Sequence, residues 1–439
     1  MFYVIQERLK PYLLSQICQE QAGFVPGRGT RYQFLNNRQI IEKCYEYNIT
    51  VICCFLDYTK AFDMVKWNLL WSILKEMRVP EHLIAIIKII YTNGQAHVRV
   101  ESDLSESFRV GQGVKQDCVL SPHATQEWNG GVSIGGKKIS NLRYADDTVL
   151  LAKTEMEMAN LLELVEKFSN EAGLKLNRSK CSIIAVDRTR TLPLTFNLIP
   201  NIDRKDNVIY LGALLSNKGG LEEEIKRRVG MAKAAIAKLV KIWKDHDIRK
   251  GTKLYLMKTL IFPIMIYGSE SWTLNSSCQR RIEAFEMIAY RRMLRIPWTD
   301  HRTNVSIVQE LNIQPQDRLL MTIQSQILKF FGHVMRRDGI EKDIIQGKNE
   351  GKRSRGRPPI RYIDQIKNLT QMSISDNIRN TENREKQLAC GLVKSGQIRV
   401  TGRGRPTTSL EVKIASTRPQ SFCPTKDMRL TKLTLATIF

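Results

Sequence analysis

Tyr144-Ala145-Asp146-Asp147 constrains this chain more than any other stretch, because it sets two adjacent carboxylates at the bend of a predicted β-hairpin. Leu142 precedes the bend and Val149-Leu150-Leu151 follow it, and turns between apolar strands usually carry Gly, Asn or a single Asp. Two neighbouring acids repel each other unless a positive charge holds them, and a divalent cation is the usual answer. An Asp-rich turn in solvent is the plain alternative, and four residues alone would favour it. A third acid changes the balance. Val51-Ile52-Cys53-Cys54-Phe55-Leu56 is a continuous apolar run, as expected of a strand buried on both faces, and it delivers Asp57 at its end. Three carboxylates at two strand ends suit a two-metal site for phosphoryl transfer.

Around these strands, residues 1–190 alternate strand and helix patterns. Phe62, Val65, Leu69, Ile73 and Met77 recur at helical spacing, with Pro80 closing that element, and Asp63 falls near its start. A second helix is predicted from Glu81 to Tyr91, ending at Asn93-Gly94, then short strands near His97–Val100 and Ser107–Val110. A helix from about Glu155 to Glu171 presents Leu161, Leu162, Val165 and Phe168 on one face; Gly173 suits its C-terminal cap. Ser182-Ile183-Ile184-Ala185-Val186 reads as a further strand. From about 215 to 340 the pattern is helical and basic: Glu222-Glu223-Glu224 opens one helix with the sign its dipole favours, and Met231 to Trp243 is rich in helix formers. Beyond 345 apolar periodicity is lost, and the last sixty or so residues are expected to be poorly ordered. The division is therefore 1–190, 191–345 and 346–439.

Sixty-eight Lys and Arg against 44 Asp and Glu leave a net charge of +24, which points to a polyanionic partner. No basic amphipathic anchor or lipidation motif favours a membrane surface, so nucleic acid is the expected partner. The apolar fraction of 42% is ordinary for a folded body. Nine cysteines lack the spacing of a zinc knuckle or a disulfide framework, which fits a reducing compartment. The N-terminus is charged too early for a signal peptide, and the longest apolar stretch, Leu260 to Tyr267, contains Pro263 and is far short of a membrane span. An intracellular protein, nuclear or cytoplasmic and not secreted, with no obligate protein partner is expected.

Phe55-Leu56-Asp57-Tyr58-Thr59-Lys60-Ala61-Phe62-Asp63 resembles polymerase motif A of reverse transcriptases from non-LTR (LINE-type) retrotransposons. Gly113-Val114-Lys115-Gln116-Asp117-Cys118-Val119-Leu120-Ser121-Pro122 resembles motif B, Tyr144–Asp147 motif C, and Gly173-Leu174-Lys175-Leu176-Asn177 through Lys180 motif D. Gln21-Ala22-Gly23-Phe24-Val25-Pro26-Gly27-Arg28-Gly29-Thr30 is similar to a fingers motif of the same group. All five occur in the family's order, and the likeness continues through Ile296-Pro297-Trp298-Thr299-Asp300-His301-Arg302 to the RGRP segment near 355. The resemblance implies an α+β fold: a right-hand polymerase palm of antiparallel sheet with packed helices, partial fingers, and a mainly α-helical thumb.

It also implies an RNA-directed DNA polymerase that uses an RNA template, a DNA primer, dNTPs and two Mg²⁺ ions. Asp57 and Asp146 would be the main metal ligands and Asp147 a supporting one. Lys180 would protonate the leaving pyrophosphate. Tyr58, Phe62, Gln116 and Arg28 would line the nucleotide site, with Phe62 as the steric gate against a ribose 2′-hydroxyl; the plain alternatives are a core ring for Phe62, a solvated turn residue for Arg28 and a surface lysine for Lys180. Arg355, Arg357, Arg403 and Arg405, in two RGRP segments, resemble the core of minor-groove AT-hooks, or else form a flexible basic tail with non-specific phosphate affinity.

The chain departs from the family in places. Asp117 stands where the family usually has Gly after the motif B glutamine. The chain starts inside the fingers, so an upstream endonuclease domain is expected to be absent. Between Pro122 and Tyr144, where the family places a long helix, Val132–Ile139 already reads as a hairpin, leaving only His123 to Asn129, barely two turns and marginal by itself. An internal deletion, or a segment skipped in deducing the chain from its gene, accounts for this, and beyond about 385 the likeness ends. A weak or inactive polymerase is expected, with a non-catalytic nucleic-acid-binding remnant as the rival. A group II intron-type maturase shares the palm motifs but not the IPWTDHR and RGRP segments.

Overall fold

The computed structural model describes residues 2–100, 103–113, 128, 130–193, 195–347, 353 and 359–381. In chain order the first elements are α1 (Phe2–Leu14), α2 (Thr30–Glu46), β1 (Val51–Leu56), α3 (Trp67–Glu76) and α4 (Glu81–Thr92). Four two-residue strands follow: β2 (Gln95–Ala96), β3 (Arg99–Val100), β4 (Asp103–Leu104) and β5 (Phe108–Arg109). Next come β6 (Val132–Ile134), β7 (Lys137–Ile139), β8 (Asn141–Tyr144), β9 (Asp147–Ala152), α5 (Glu155–Glu171) and β10 (Ser182–Val186). Three more strands, β11 (Asp203–Arg204), β12 (Asn207–Tyr210) and β13 (Ala213–Ser216), precede the helical part.

The central sheet has the order β11-β10-β1-β9-β8. It is antiparallel except between β10 and β11. All six residues of β1 are buried, as its unbroken apolar run predicts for a strand covered on both faces. Its side chains alternate between two cores. Val51, Cys53 and Phe55 face one that includes Ile40, Ile41 and Cys44 of α2 and the β6–β7 hairpin. Ile52, Cys54 and Leu56 face another, against Met158, Leu161, Leu162 and Val165 of α5. Thr154 caps α5 by accepting the Glu157 N–H at 3.2 Å, and Gly173, at φ +81, follows its end. Phe168, expected on the apolar face of α5, is 40% exposed instead. The β6–β7 hairpin turns through Gly135 and Gly136, both with positive φ.

The helix expected directly after Asp57 starts later. Residues 57–66 form turns, with Lys60 at φ +48, and α3 begins at Trp67. Phe62 and Asp63 therefore lie outside any helix. Leu70, Trp71 and Leu74 are the buried face of α3, while Phe62 packs at the margin of a separate cluster built from α1, α3 and α4.

Beyond β13 run α6 (Glu222–Lys238), α7 (Val240–Lys244), α8 (Lys250–Leu256), a π-helical turn at Met257–Ile261, α9 (Phe262–Ile266), α10 (Ser276–Leu294), α11 (Asn304–Glu310), α12 (Leu319–Met335) and α13 (Ile340–Gln346). Two more helices, α14 (Tyr362–Thr370) and α15 (Ile374–Thr381), overturn the expectation that apolar periodicity ends at 345. Tyr362 and Ile366 of α14 are fully buried in the same large cluster as Trp272, Tyr290 and Phe331. Helix α2 joins this body to the sheet: Tyr32 and Leu35 enter the helical cluster, while Ile40, Ile41 and Cys44 enter the sheet's core. Together these give an α+β molecule, a central sheet flanked by helices and backed by a helical body.

Candidate active site

The sheet register brings the acids together. Leu56 of β1 pairs with Thr148 of β9, so Asp57, one residue further along β1, comes beside Asp147, one residue earlier on β9. Tyr144 pairs with Asp147, leaving Ala145 and Asp146 as the two-residue turn. Ala145 has φ +58, a conformation that glycine takes without strain and alanine does not. Asp147 keeps contact with solvent, yet its surroundings push its carboxyl up to about 6. Partial burial is the main cause, followed by the charges of Asp146 and then Asp57. Among the described residues no three His, Cys, Asp or Glu side chains are grouped so as to hold a metal ion.

Both acid-bearing ends are fixed by backbone contacts from distant segments. The Asp57 N–H donates to Cys181 Sγ at 3.4 Å, and its carbonyl accepts the Asn177 N–H at 2.8 Å. Next to it, the Thr59 N–H donates to the Lys175 carbonyl at 2.9 Å. At the hairpin, the residues beginning at Glu20 run along β8: Ala22 N–H donates to Arg143 O at 2.9 Å, and Arg143 N–H to Glu20 O at 3.0 Å. The buried Gln21 side chain accepts from Gly23 N–H at 2.9 Å and from Ala145 N–H at 3.2 Å. A Cβ on Gly23 would sit 2.2 Å from the Ala145 nitrogen, so only glycine fits against the turn. From the other side, the Tyr210 hydroxyl donates to the Asp147 carbonyl at 3.3 Å; burial, and then the Asp147 charge, push that hydroxyl well above its ordinary pKa.

The remaining expected residues divide. Lys180 is exposed on the turn that ends in Cys181, and its N–H donates to Asn177 O at 3.0 Å. The Tyr58 hydroxyl meets Ser169 of α5 at 3.0 Å, and burial raises its pKa. Arg28 donates through Nη1 to the carbonyls of Gln19 at 2.6 Å and Gln21 at 2.8 Å, so it braces the loop that reaches the acid turn. Gly113, which opens the motif B segment, packs against motif A, with its N–H on Val65 O at 2.9 Å and its carbonyl accepting from Trp67 Nε1 at 2.6 Å. Gln116, Asp117 and the shortened interval after Pro122 lie outside the described residues, as do Arg355, Arg357, Arg403, Arg405 and the tail from 382. From the first basic run, Arg353 is described: it pairs with Glu46 at 2.7 Å and lies over the Tyr47 ring at 5.4 Å. No described helix is long and apolar enough to cross a membrane.

Gln21, Gly23, Asn177, Cys181 and Tyr210 contribute to the site without having been assigned to it from the sequence. Gln21 and Gly23 carried a signal, since both belong to the fingers motif. Tyr210 carried none.

Comparison with known proteins supplies the lineage. A family model described as reverse transcriptase (RNA-dependent DNA polymerase) matches residues 2–215. The chain is 30% identical over 242 residues to a transposon-derived protein of Caenorhabditis elegans, covering 53% of this chain and 86% of that protein. It is 23% identical over 297 residues to a retrovirus-related Pol polyprotein from a type-2 retrotransposable element of Drosophila melanogaster, covering 63% of this chain and 27% of the polyprotein. The chain thus spans about a quarter of that longer relative. Among solved structures, a telomerase from Candida tropicalis with a fragment of telomeric RNA covers 78% of this chain and 55% of its own, at 10% identity and a TM-score of 0.35, too low to argue from.

Proposed function

The chain belongs to the reverse transcriptase family, and from that premise we propose that its ancestral reaction is RNA-templated DNA synthesis, in which a DNA primer's 3′-hydroxyl attacks a dNTP and pyrophosphate leaves. The meeting of Asp57, Asp146 and Asp147 at adjoining strand ends, with the Asp147 carboxyl pushed up to about 6, carries this reading. Carboxylate oxygens are the hard donors Mg²⁺ takes, and acids that repel one another gain from a cation between them. Asp57 and Asp146 would hold the metal, with Asp147 in support. The chemistry supplied by two bound Mg²⁺ ions is a more acidic attacking hydroxyl and neutralised pyrophosphate charge.

The protein's own groups do the rest. Lys180, on the exposed turn behind Asp57, would give a proton to the departing pyrophosphate. Gln116 would face the incoming nucleotide. Phe62, at the margin of its apolar cluster, would crowd a 2′-hydroxyl, while Tyr58 and Arg28 hold the walls of that site through Ser169 and the Gln19–Gln21 backbone. We assign residues 1–190 to fingers and palm and 191–345 to a thumb and connection, whose core α14 and α15 complete, while Arg355, Arg357, Arg403 and Arg405 would contact nucleic acid. RNA template, DNA primer and dNTPs are the proposed partners.

One observation favours a second reading, a remnant that binds nucleic acid without catalysis: no three described His, Cys, Asp or Glu side chains are grouped so as to hold an ion. The short interval between Pro122 and Tyr144 would leave the hairpin acids without their supporting helix and free to drift, and a displacement near 1 Å costs about a hundredfold in rate. Slow polymerisation is therefore expected. Primer extension on an RNA template with Mg²⁺ tests both. Extension that Asp146→Ala abolishes supports the polymerase, and salt-sensitive RNA binding without extension supports the remnant.

A further inference from the structure

We propose that Cys181 is a positioning residue for Asp57, its thiol gripping the peptide groups of the residue that carries the strand-end carboxylate. The inference rests on the metal-dependent reading above. The ladder of β1 stops at Leu56, paired with Thr148, so Asp57 is the first residue whose peptide groups must find partners off the sheet. Its N–H finds Cys181 Sγ at 3.4 Å. The same thiol lies 4.0 Å from the Asp57 carbonyl, at the long limit for a sulfur donor, and the Asn177 N–H reaches that carbonyl at 2.8 Å. These contacts all come from the turn 177–181, which also presents Lys180. The turn is closed on itself by Lys180 and Cys181 N–H groups donating to the Asn177 carbonyl at 3.0 and 3.1 Å.

Packing alone does not ask for sulfur here. Cys181 is 1% exposed among Cys54, Ile183 and Leu56, a setting in which valine would fill nearly the same space. Valine, however, cannot accept the Asp57 N–H, and a buried amide left without a partner turns to find one. Turning that peptide swings the Cα–Cβ bond of Asp57, and with it the carboxylate. Groups that orient a metal ligand from behind typically change metal affinity or activity 10–100-fold when lost. The thiol thus ties the acid of motif A to the lysine of motif D through one short turn.

Cys181→Val and Cys181→Ser test this, with Mn²⁺ as the probe, free ion followed by electron paramagnetic resonance, and urea unfolding measured in parallel. Cys181→Val should weaken Mn²⁺ binding roughly tenfold with little change in the unfolding midpoint. Cys181→Ser, which keeps a donor and an acceptor, should stay within about twofold of the native protein. Equal Mn²⁺ binding by Cys181→Val and the native chain would overturn the positioning role and leave the functional reading standing. So would losses in both variants that merely track stability. A native chain that binds no Mn²⁺ would overturn the positioning role together with the metal-dependent reading. Binding without primer extension would remove the polymerase alone.

Discussion

In the helical body, position is set by side-chain volume. Trp272, Tyr290 and Phe331 are fully enclosed in one cluster that takes in Tyr32 and Leu35 of α2 and then runs from Leu221 to Ile366, and exposed lysines occupy its outside. Around the acids of the sheet, position is set by main-chain contact instead. Gly23 lies against Ala145, Gln21 holds the turn's amide, and Asn177 and Cys181 hold Asp57. The first arrangement tolerates exchange of one apolar group for another of similar size. The second tolerates few exchanges, because each contact meets a main-chain atom, either with no room for a Cβ or through one particular acceptor. Side-chain packing and main-chain contact thus dominate in different parts of the chain.

Hollowing out the helical body should have the largest effect on stability. Trp272→Ala should cost about 3–5 kcal/mol, read as a lowered urea midpoint, while molecules still folded keep their Mn²⁺ affinity. Gly23→Ala should invert that pattern. Its cost in stability should be nearer 1–3 kcal/mol, since one methyl group forces a local backbone shift. Mn²⁺ binding should fall further than stability does, and unchanged binding would break the contrast between the two regions. A further effect, read only against pH, concerns Glu42, where α2 meets the helical body. Burial pushes its carboxyl up to about 7, against the opposing pull of the Tyr362 N–H and the Thr273 hydroxyl. A carboxyl raised on folding holds a proton that the unfolded chain releases, so stability should decline as pH rises from about 4.5 through 7 and then level off. Glu42→Gln should flatten the upper part of that decline in unfolding midpoints measured at pH 5, 6.5 and 8.

Four of the sheet's five strands were legible, while β11, two polar residues, gave no apolar run to read. β1 and β10 are continuous apolar runs, and β8 and β9 bracket an acid turn that the pattern locates. Helix α5 was nearly as clear, with Gly173 after its end and Leu161, Leu162 and Val165 on its buried face, though Phe168 is exposed. The stretch after Asp57 misled, because Phe62 and Val65 happen to extend the spacing of a helix that starts only at Trp67. Helix α2 gave little sign of its importance: Gln33, Asn36, Asn37 and Gln39 are buried between two cores although their chemistry suggests solvent. The acids themselves were legible, but the contacts that aim them were not. Gln21 and Ala145 are 124 residues apart, as are Asp57 and Cys181, and neither pair follows a local period.

Helix α2 also sets a timetable. Tyr32 meets His333 at 2.5 Å, Lys43 reaches the Gly347 carbonyl at 2.5 Å, and Glu42 accepts the Tyr362 N–H at 3.2 Å, partners 301, 304 and 320 residues downstream. At the usual pace of synthesis those partners leave the ribosome roughly fifteen seconds to a minute after α2 does. Through that interval the helix has one core to rest on, and Tyr32, Glu42 and Lys43 lack these later partners. The nascent chain must therefore wait, half assembled, for its last described helices before its first long one is secured.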